Sequence, residues 1–378
     1  MKRQLQAGFT IIELMIALLI STLLVIMILS IFSRMSFAYR QQQQVVGAQQ
    51  LLGAAKTAIE LDAKQTGLEL SQGFKIATQP GNLQSPLQIV DSAVGPDEVG
   101  FYYADPSAQA VVRTVTGALT GVTLDAGLGA SFAVLPAPAT NLVVLVNVDT
   151  ISMSNPISPT TDAKIAKFDA CVLQITQVVG DAITFSSVAP WGNGGNTHCT
   201  APVPNRTMMY KFVARYWRLD PTPARLADGV LQVSNIGNLP NINPNWEDQA
   251  FNLTDLQVAT LFYDGDGVDT ADPGTDGDRD WSSDNVQFGR TTPIGIAAAF
   301  VPPLMVSISL VARTDRDVEG VGTGFTPTLA VTTNMANNNI GNHDKVSLPS
   351  ATDDRLKGNR IYRYVTFQVD MRNMGVGR

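Results

Sequence analysis

Hydrophobic and polar positions divide the chain into two unlike parts. From Phe9 it reads FTIIELMIALLISTLLVIMILSIF, and between Leu14 and Phe32 the only polar residues are Ser21, Thr22 and Ser30. At about 1.5 Å of rise per residue, roughly 20 such residues cross a hydrocarbon layer of about 30 Å. The pattern predicts a membrane-spanning helix over residues 9–33. No proline follows before Pro80, and Ala48, Leu51, Leu52, Ala55, Ala58 and Ile59 recur at helical spacing. The helix is therefore expected to run on to about Ala63, about 80 Å in all, with one apolar face on its second half and weak points at Gly47 and Gly53.

After Gly67 the period shortens. Short β-rich runs alternate with Gly, Pro, Asn and Asp, which predicts a large antiparallel β-rich head over residues 64–378 with little further helix. The runs that read as strands are Leu142 to Val148, Cys171 to Val179, Ala182 to Val188, Tyr210 to Trp217, Gly229 to Val233, Leu256 to Tyr263, Leu304 to Ala312 and Ile361 to Val369. In the last of these, Val365, Phe367 and Val369 alternate with Thr366, Gln368 and Asp370, as a half-buried strand requires. Gly180-Asp181 between two runs suits a two-residue hairpin turn. The fold class is α+β: a long N-terminal helix, membrane-embedded in its first half, packed on the head.

The flanks of the apolar helix set its orientation. Lys2 and Arg3 precede it, so the positive-inside bias keeps residues 1–8 cytoplasmic and exports the head. A secretory signal carries its small-residue cleavage site after the apolar core, whereas here Ala7-Gly8 comes before it. Cutting after Gly8 removes a leader and leaves the whole helix on the mature chain, beginning at Phe9. Glu13 is then the telling residue. A carboxylate near the bilayer centre costs about 2.5–3.5 kcal/mol, and no Lys or Arg lies between Phe9 and Ser33 to neutralise it. The α-amino group created at Phe9 supplies a positive charge, within the chain or from the next subunit, which gives Glu13 a role in assembly.

These residues carry a family resemblance. Gly8 to Leu14, GFTIIEL, resembles the type IV prepilin signature, in the right place between a basic leader and an apolar helix. The resemblance implies that Gly8 precedes the prepilin-peptidase cut, that Phe9 becomes the N-methylated first residue and that Glu13 is the assembly glutamate. A second, softer resemblance spans roughly Met208 to Met374. MMYKFVARYWRLD, LADGVLQVSN, NLTDLQVATLFYDGDGVDT and RLKGNRIYRYVTFQVDMRNM, in that order, look like PilW-type minor pilins. Residues 68–170 and the insertion from Asp272 to Asp284 match nothing in that family.

Composition narrows the chemistry. With 45% hydrophobic and 16% charged residues the chain can form packed cores. Its formal charge of −7, or −9 without Lys2 and Arg3, disfavours nucleic acid as a partner. Two cysteines, Cys171 and Cys199, lack metal-ligand spacing; a disulfide suits an exported head, with two separate buried thiols as the other use. Eight aspartates crowd Asp264 to Asp284. Asp264, Asp266 and Asp269, then Asp272, Asp276 and Asp278, offer oxygen ligands for Ca²⁺, although Val268 and Thr275 break the EF-hand spacing. A solvated Asp/Gly loop fits the same residues. Asp315, Asp317 and Glu319 read as surface acids.

No catalytic spacing stands out. WGNGGN, Trp191 to Asn196, lacks the ending and context of a phosphate loop, His198 next to Cys199 suits a disulfide neighbour better than a nucleophile's base, and His343 lies in an Asn-rich run. The expectation is a structural subunit, not an enzyme. It would sit in the inner membrane with a periplasmic head and later in a pilus at the cell surface. Its partners would be prepilin peptidase, the inner-membrane pilus assembly machinery, other minor and major pilins, and the membrane itself. Close packing at Ala17 and Ser21 would serve the helix bundle. Alternatives are a type II secretion pseudopilin with the same N-terminus, a pilus-tip adhesin using a calcium-dependent loop, and a membrane-tethered periplasmic enzyme.

Overall fold

The computed structural model describes residues 10–70, 76–79, 82–84, 86–90, 96–132, 141–147, 170–186, 199, 202–235, 245–263, 279–282, 303–315, 360–371 and 373. One continuous helix, α1, spans Ile11–Gln65. Thr10 caps its start, and Gly67, at φ 77°, follows its end, where a left-handed backbone costs glycine little. The helix thus runs from two residues later to two residues further than the pattern suggested, and it passes through Gly47 and Gly53 without a break. Its second half buries Ala48, Leu52, Ala55, Ile59, Asp62 and Ala63, with Leu51 and Ala58 packed beside them. The apolar stripe is the one expected, extended by a buried aspartate.

Fifteen strands follow among the described residues. The first eight are β1 (Ile76–Gln79), β2 (Asn82–Gln84), β3 (Leu87–Val90), β4 (Glu98–Thr116), β5 (Gly121–Leu124), β6 (Leu142–Asn147), β7 (Ala170–Val179) and β8 (Ala182–Phe185). Then come β9 (Thr207–Leu219), a one-turn helix α2 (Pro223–Asp228), β10 (Leu231–Ser234), β11 (Trp246–Ala250), β12 (Leu253–Tyr263), β13 (Arg279–Ser282), β14 (Pro303–Arg313) and β15 (Tyr362–Asp370). Every strand read from the pattern is present, most within a few residues. The run Ala182 to Val188 ends sooner, at Phe185. The run from Gly229 begins at Leu231, because Gly229 instead closes α2 in the left-handed region at φ 68°. A Cβ there would come within 2.3 Å of the Leu253 carbonyl oxygen, so both φ and space demand glycine.

Two sheets organise the head. In the larger, β4, β9, β6, β7, β8 and β5 pair in turn, all antiparallel, and β5 returns to β4, which closes a six-stranded barrel. Alternate residues fill its interior: Ala108, Ala110 and Val112 of β4, Val143 and Leu145 of β6, Leu173 and Ile175 of β7, with Phe132. The intervening Val144, Val146 and Val172 are buried on the outer face, so β6 reads as an unbroken apolar run. β4 and β9 continue beyond the barrel, where β3 pairs with β4 and β10 and β11 extend from β9. At the junction the register shifts between Asp105 and Gln109, around Pro106, and the Asp105 carboxylate accepts the Ser107 N–H at 2.9 Å. The smaller sheet has the order β13-β12-β14-β15 and is wholly antiparallel.

The buried half of α1 joins the two sheets in one core. Leu52, Ala55 and Ile59 meet Val99, Phe101, Trp217, Leu231 and Val233 of the first sheet and Leu256, Val258, Ile308, Leu310, Phe367 and Val369 of the second. Asp97 fastens the sheets directly: its N–H donates to the Leu256 carbonyl at 2.7 Å and its carboxylate accepts the Val258 N–H at 2.8 Å. After the helix, Gly67 N–H donates to Tyr102 O and Leu68 O accepts from Ala104, both at 2.9 Å, so the chain leaves α1 along β4.

Candidate assembly site

The first half of α1 is bare. Eighteen large apolar side chains from Ile11 to Met35 are exposed, with Ile11 at 80% and Phe32 at 72%. Leaving them in water costs on the order of tens of kcal/mol, so this surface requires lipid or other apolar helices. A buried core helix of similar composition would show the opposite: here the most apolar stretch has none of the described residues packed on it. Two of the hydroxyls within the stretch turn inward to the backbone, Ser21 Oγ to Leu18 O at 2.9 Å and Thr22 Oγ1 to Leu19 O at 2.8 Å. Both of these donors are therefore satisfied without water.

Glu13 stands in the first turn. Its Oε2 accepts from the Thr10 N–H and from Thr10 Oγ1, each at 3.0 Å, while Thr10 Oγ1 accepts the Glu13 N–H at 3.3 Å. This reciprocal capping box satisfies two helix-end donors at the start of the helix. Thr10 went unread in the sequence although its signal is plain: T-I-I-E is the S/T-x-x-E spacing of a capping box ahead of an apolar run. Gly8 and Phe9 lie outside the described residues.

The other end of α1 is fixed by a second acid. Asp62, 6% exposed, accepts from Trp217 Nε1 at 2.9 Å, and Arg215 Nε lies 3.9 Å from its other oxygen. Burial pushes the Asp62 carboxyl above its usual range, against the opposing effects of Trp217 and Arg215. Burial, reinforced by the Asp62 charge, pushes Tyr103 up to about 12. Asn373 Nδ2 donates to Lys64 O at 2.8 Å, which ties the chain after β15 to the last helical turn. Asp62 therefore sets how the helix seats on β9.

The remaining expected sites divide. Cys171 and Cys199 form a disulfide, with Cα atoms 5.4 Å apart. Cys171 faces the barrel interior and Cys199 packs against that cluster, so the bridge pins the chain at Cys199, between β8 and β9, to the barrel wall. The hairpin turns at Gly180-Asp181 as expected, pairing Val179 with Ala182. Asp181 also anchors a neighbouring loop, because its carboxylate accepts the Gly127 and Gly129 N–H groups at 2.9 and 3.1 Å, which holds its pKa below the usual range. A Cβ on Gly129 would lie 1.9 Å from Gly180 O, so the loop sits directly on the turn.

Asp264, Asp266, Asp269, Asp272, Asp276 and Asp278 all fall outside the described residues, as do Trp191 to Asn196, His198, His343, Asp317 and Glu319. The strand β13 was unread; it pairs Arg279 with Tyr263, so the Asp-rich segment joins two paired strand ends. Asp315 is exposed. Among the described residues no group of three His, Cys, Asp or Glu is placed to hold a metal ion. An open groove of about 750 Å³ lies between the helix at Arg40 to Leu51 and the Gln249–Asn252 turn, and its lining of amides, Arg40, Arg313 and Asp315 presents no nucleophile and base in reach of one another.

Residues 3–29 match the prokaryotic N-terminal methylation motif. No curated protein matches the chain. Among solved structures, a type IV-like pilin from Thermus thermophilus aligns over 86% of this chain and 96% of its own, at 11% identity and a TM-score of 0.34. A likeness so loose fixes no detail of the head.

Proposed function

We propose that this type IV pilin-family protein is a minor pilin, a structural subunit that helps to start or cap a type IV pilus. Prepilin peptidase cuts it after Gly8, and it assembles through pairing of the new Phe9 amine with Glu13. The observation that carries the reading is the bare apolar half of α1 with a single acid in its first turn. Lipid covers that surface before assembly and the helices of other subunits cover it afterwards, while the head stays in the periplasm and then on the pilus.

The pilus is favoured over a secretion pseudopilin by the PilW-like segments. They form β9, α2 with β10, β12 and β15, the elements gathered around the buried half of the helix. A subunit of this kind works by fit and not by turnover.

Mass spectrometry of the mature N-terminus tests the reading: a chain beginning at methyl-Phe9 is expected, and one beginning at Met1 or after residue 30 overturns it. Glu13→Gln separates charge from capping, because glutamine keeps the capping-box acceptor but not the negative charge. Filament incorporation is expected to be lost in Glu13→Gln. Deleting the gene should abolish surface pili; a secretion defect instead would assign the pseudopilin role.

A further inference from the structure

We propose that Arg34 and Arg40, flanking Tyr39, form a collar that binds phosphodiester head groups on the outer side of the membrane and so fixes how deep the helix sits. The proposal rests on the membrane-spanning reading of the first half of α1 and adds a ligand chemistry to it.

Charge comes first. Between Glu13 and Glu60 the helix carries no acid. Lys56 and Lys64 both pair with Glu60. Arg34 and Arg40 are exposed and have no ion pair or side-chain hydrogen bond among the described residues. They also stand on the exported side of the apolar stretch, where the positive-inside bias disfavours arginine. Arg40 shares a groove with Asp315 but forms no ion pair with it, and two cations kept there with no ion pair among the described residues call for an anion from the surroundings.

Length supplies the second argument. Glu13 and Arg34 are separated by about 32 Å along the helix axis at 1.5 Å per residue, close to the roughly 30 Å of a hydrocarbon core. With Arg34 at the outer boundary, the Thr10–Glu13 box lies at the inner one, where a carboxylate costs far less than at the centre. Tyr39 agrees: 61% exposed, it stands between the two arginines as an interfacial ring does. Moving the helix outward by even one turn would draw Glu13 into hydrocarbon and lift the arginines off the phosphates. The collar therefore opposes extraction until a partner amine receives Glu13.

The test uses the full-length protein with vesicles of phosphatidylcholine alone or mixed with phosphatidylglycerol, read by flotation and by counting lipids retained in native mass spectrometry. Wild type is expected to prefer the anionic vesicles by about fivefold per arginine, falling as salt rises. Arg34→Gln with Arg40→Gln should lose that preference yet still float, and the double lysine variant should keep most of it. A glutamine variant with the wild-type preference overturns the collar. So does abolition of the preference by inorganic phosphate matched to the lipid phosphate, which would mean a simple ion site. Unchanged lipid preference with lost filament incorporation would assign the arginines to a neighbouring subunit's carboxylate and overturn it too. Wild type that fails to float at all would instead overturn the membrane-spanning reading.

Discussion

Asp62 shows how one polar residue inside an apolar stripe decides a fit. It lies three residues after Ile59 on the same helical face and supplies the acceptor for the buried Trp217 N–H. Asp62→Ala should lower stability by about 1–3 kcal/mol by orphaning that donor, measured by chemical unfolding, whereas Asp62→Asn keeps an acceptor and should cost less. The two acids with opposite shifts also predict opposite pH behaviour. Asp62 has a raised carboxyl, so its contribution is fully present below about pH 4 and is lost as pH rises through its folded value. Asp62→Asn should gain on wild type as pH rises from 3 to 8. Asp181 has a lowered carboxyl, so its contribution is present above about pH 4 and is lost as pH falls through its folded value. The thermal midpoint of Asp181→Asn should lie below wild type at pH 7 and meet it by about pH 2. Neither residue's role was legible in the sequence, because Trp217 lies 155 positions from Asp62 and Gly127 lies 54 from Asp181.

At the scale of elements, the disulfide and the barrel form one unit. Removing the bridge with Cys171→Ala and Cys199→Ala should destabilise the head by about 3 kcal/mol, since the 28-residue separation closes a loop whose entropy returns to the unfolded chain. The measurement is the shift in urea midpoint between oxidised wild type and the double variant. Strands with clean alternation or dense apolar runs, such as β6, β7, β9 and β15, were legible because burial on one face or both writes itself into the order of residues. The 19-residue β4 was not. Gly100, Asp105, Pro106 and Ser107 look like loop chemistry, yet Gly100 makes room for Tyr216, whose ring carbon would lie 2.6 Å from a Cβ there, and the Asp-Pro-Ser kink bends the strand into the barrel. The second helix, α2, was also unread, since six residues are too few to show a period. Barrel closure depends on which distant strands meet, and periodicity is blind to that. In the candidate site, Glu13 stands out in the sequence as a lone acid in an apolar run, whereas its capping partner Thr10 does not.

For the molecule as a whole, the bare first half of the helix and the head divide cleanly. The first buried side chain of α1 is Ala48, so a chain lacking residues 1–35 loses nothing from the described cores. It should be soluble, fold with the same circular dichroism in the strand region and unfold within a few degrees of the intact head. Mechanical behaviour follows from the two long strands that serve both the barrel and the layer beside α1. Tension applied along the helix enters β4 at Tyr102 and Ala104, midway along its pairing with β9, and loads that ladder in shear, with many hydrogen bonds opposing the pull together. A subunit dragged upward by its stalk would resist as a single body and give way in one abrupt step, not peel apart layer by layer.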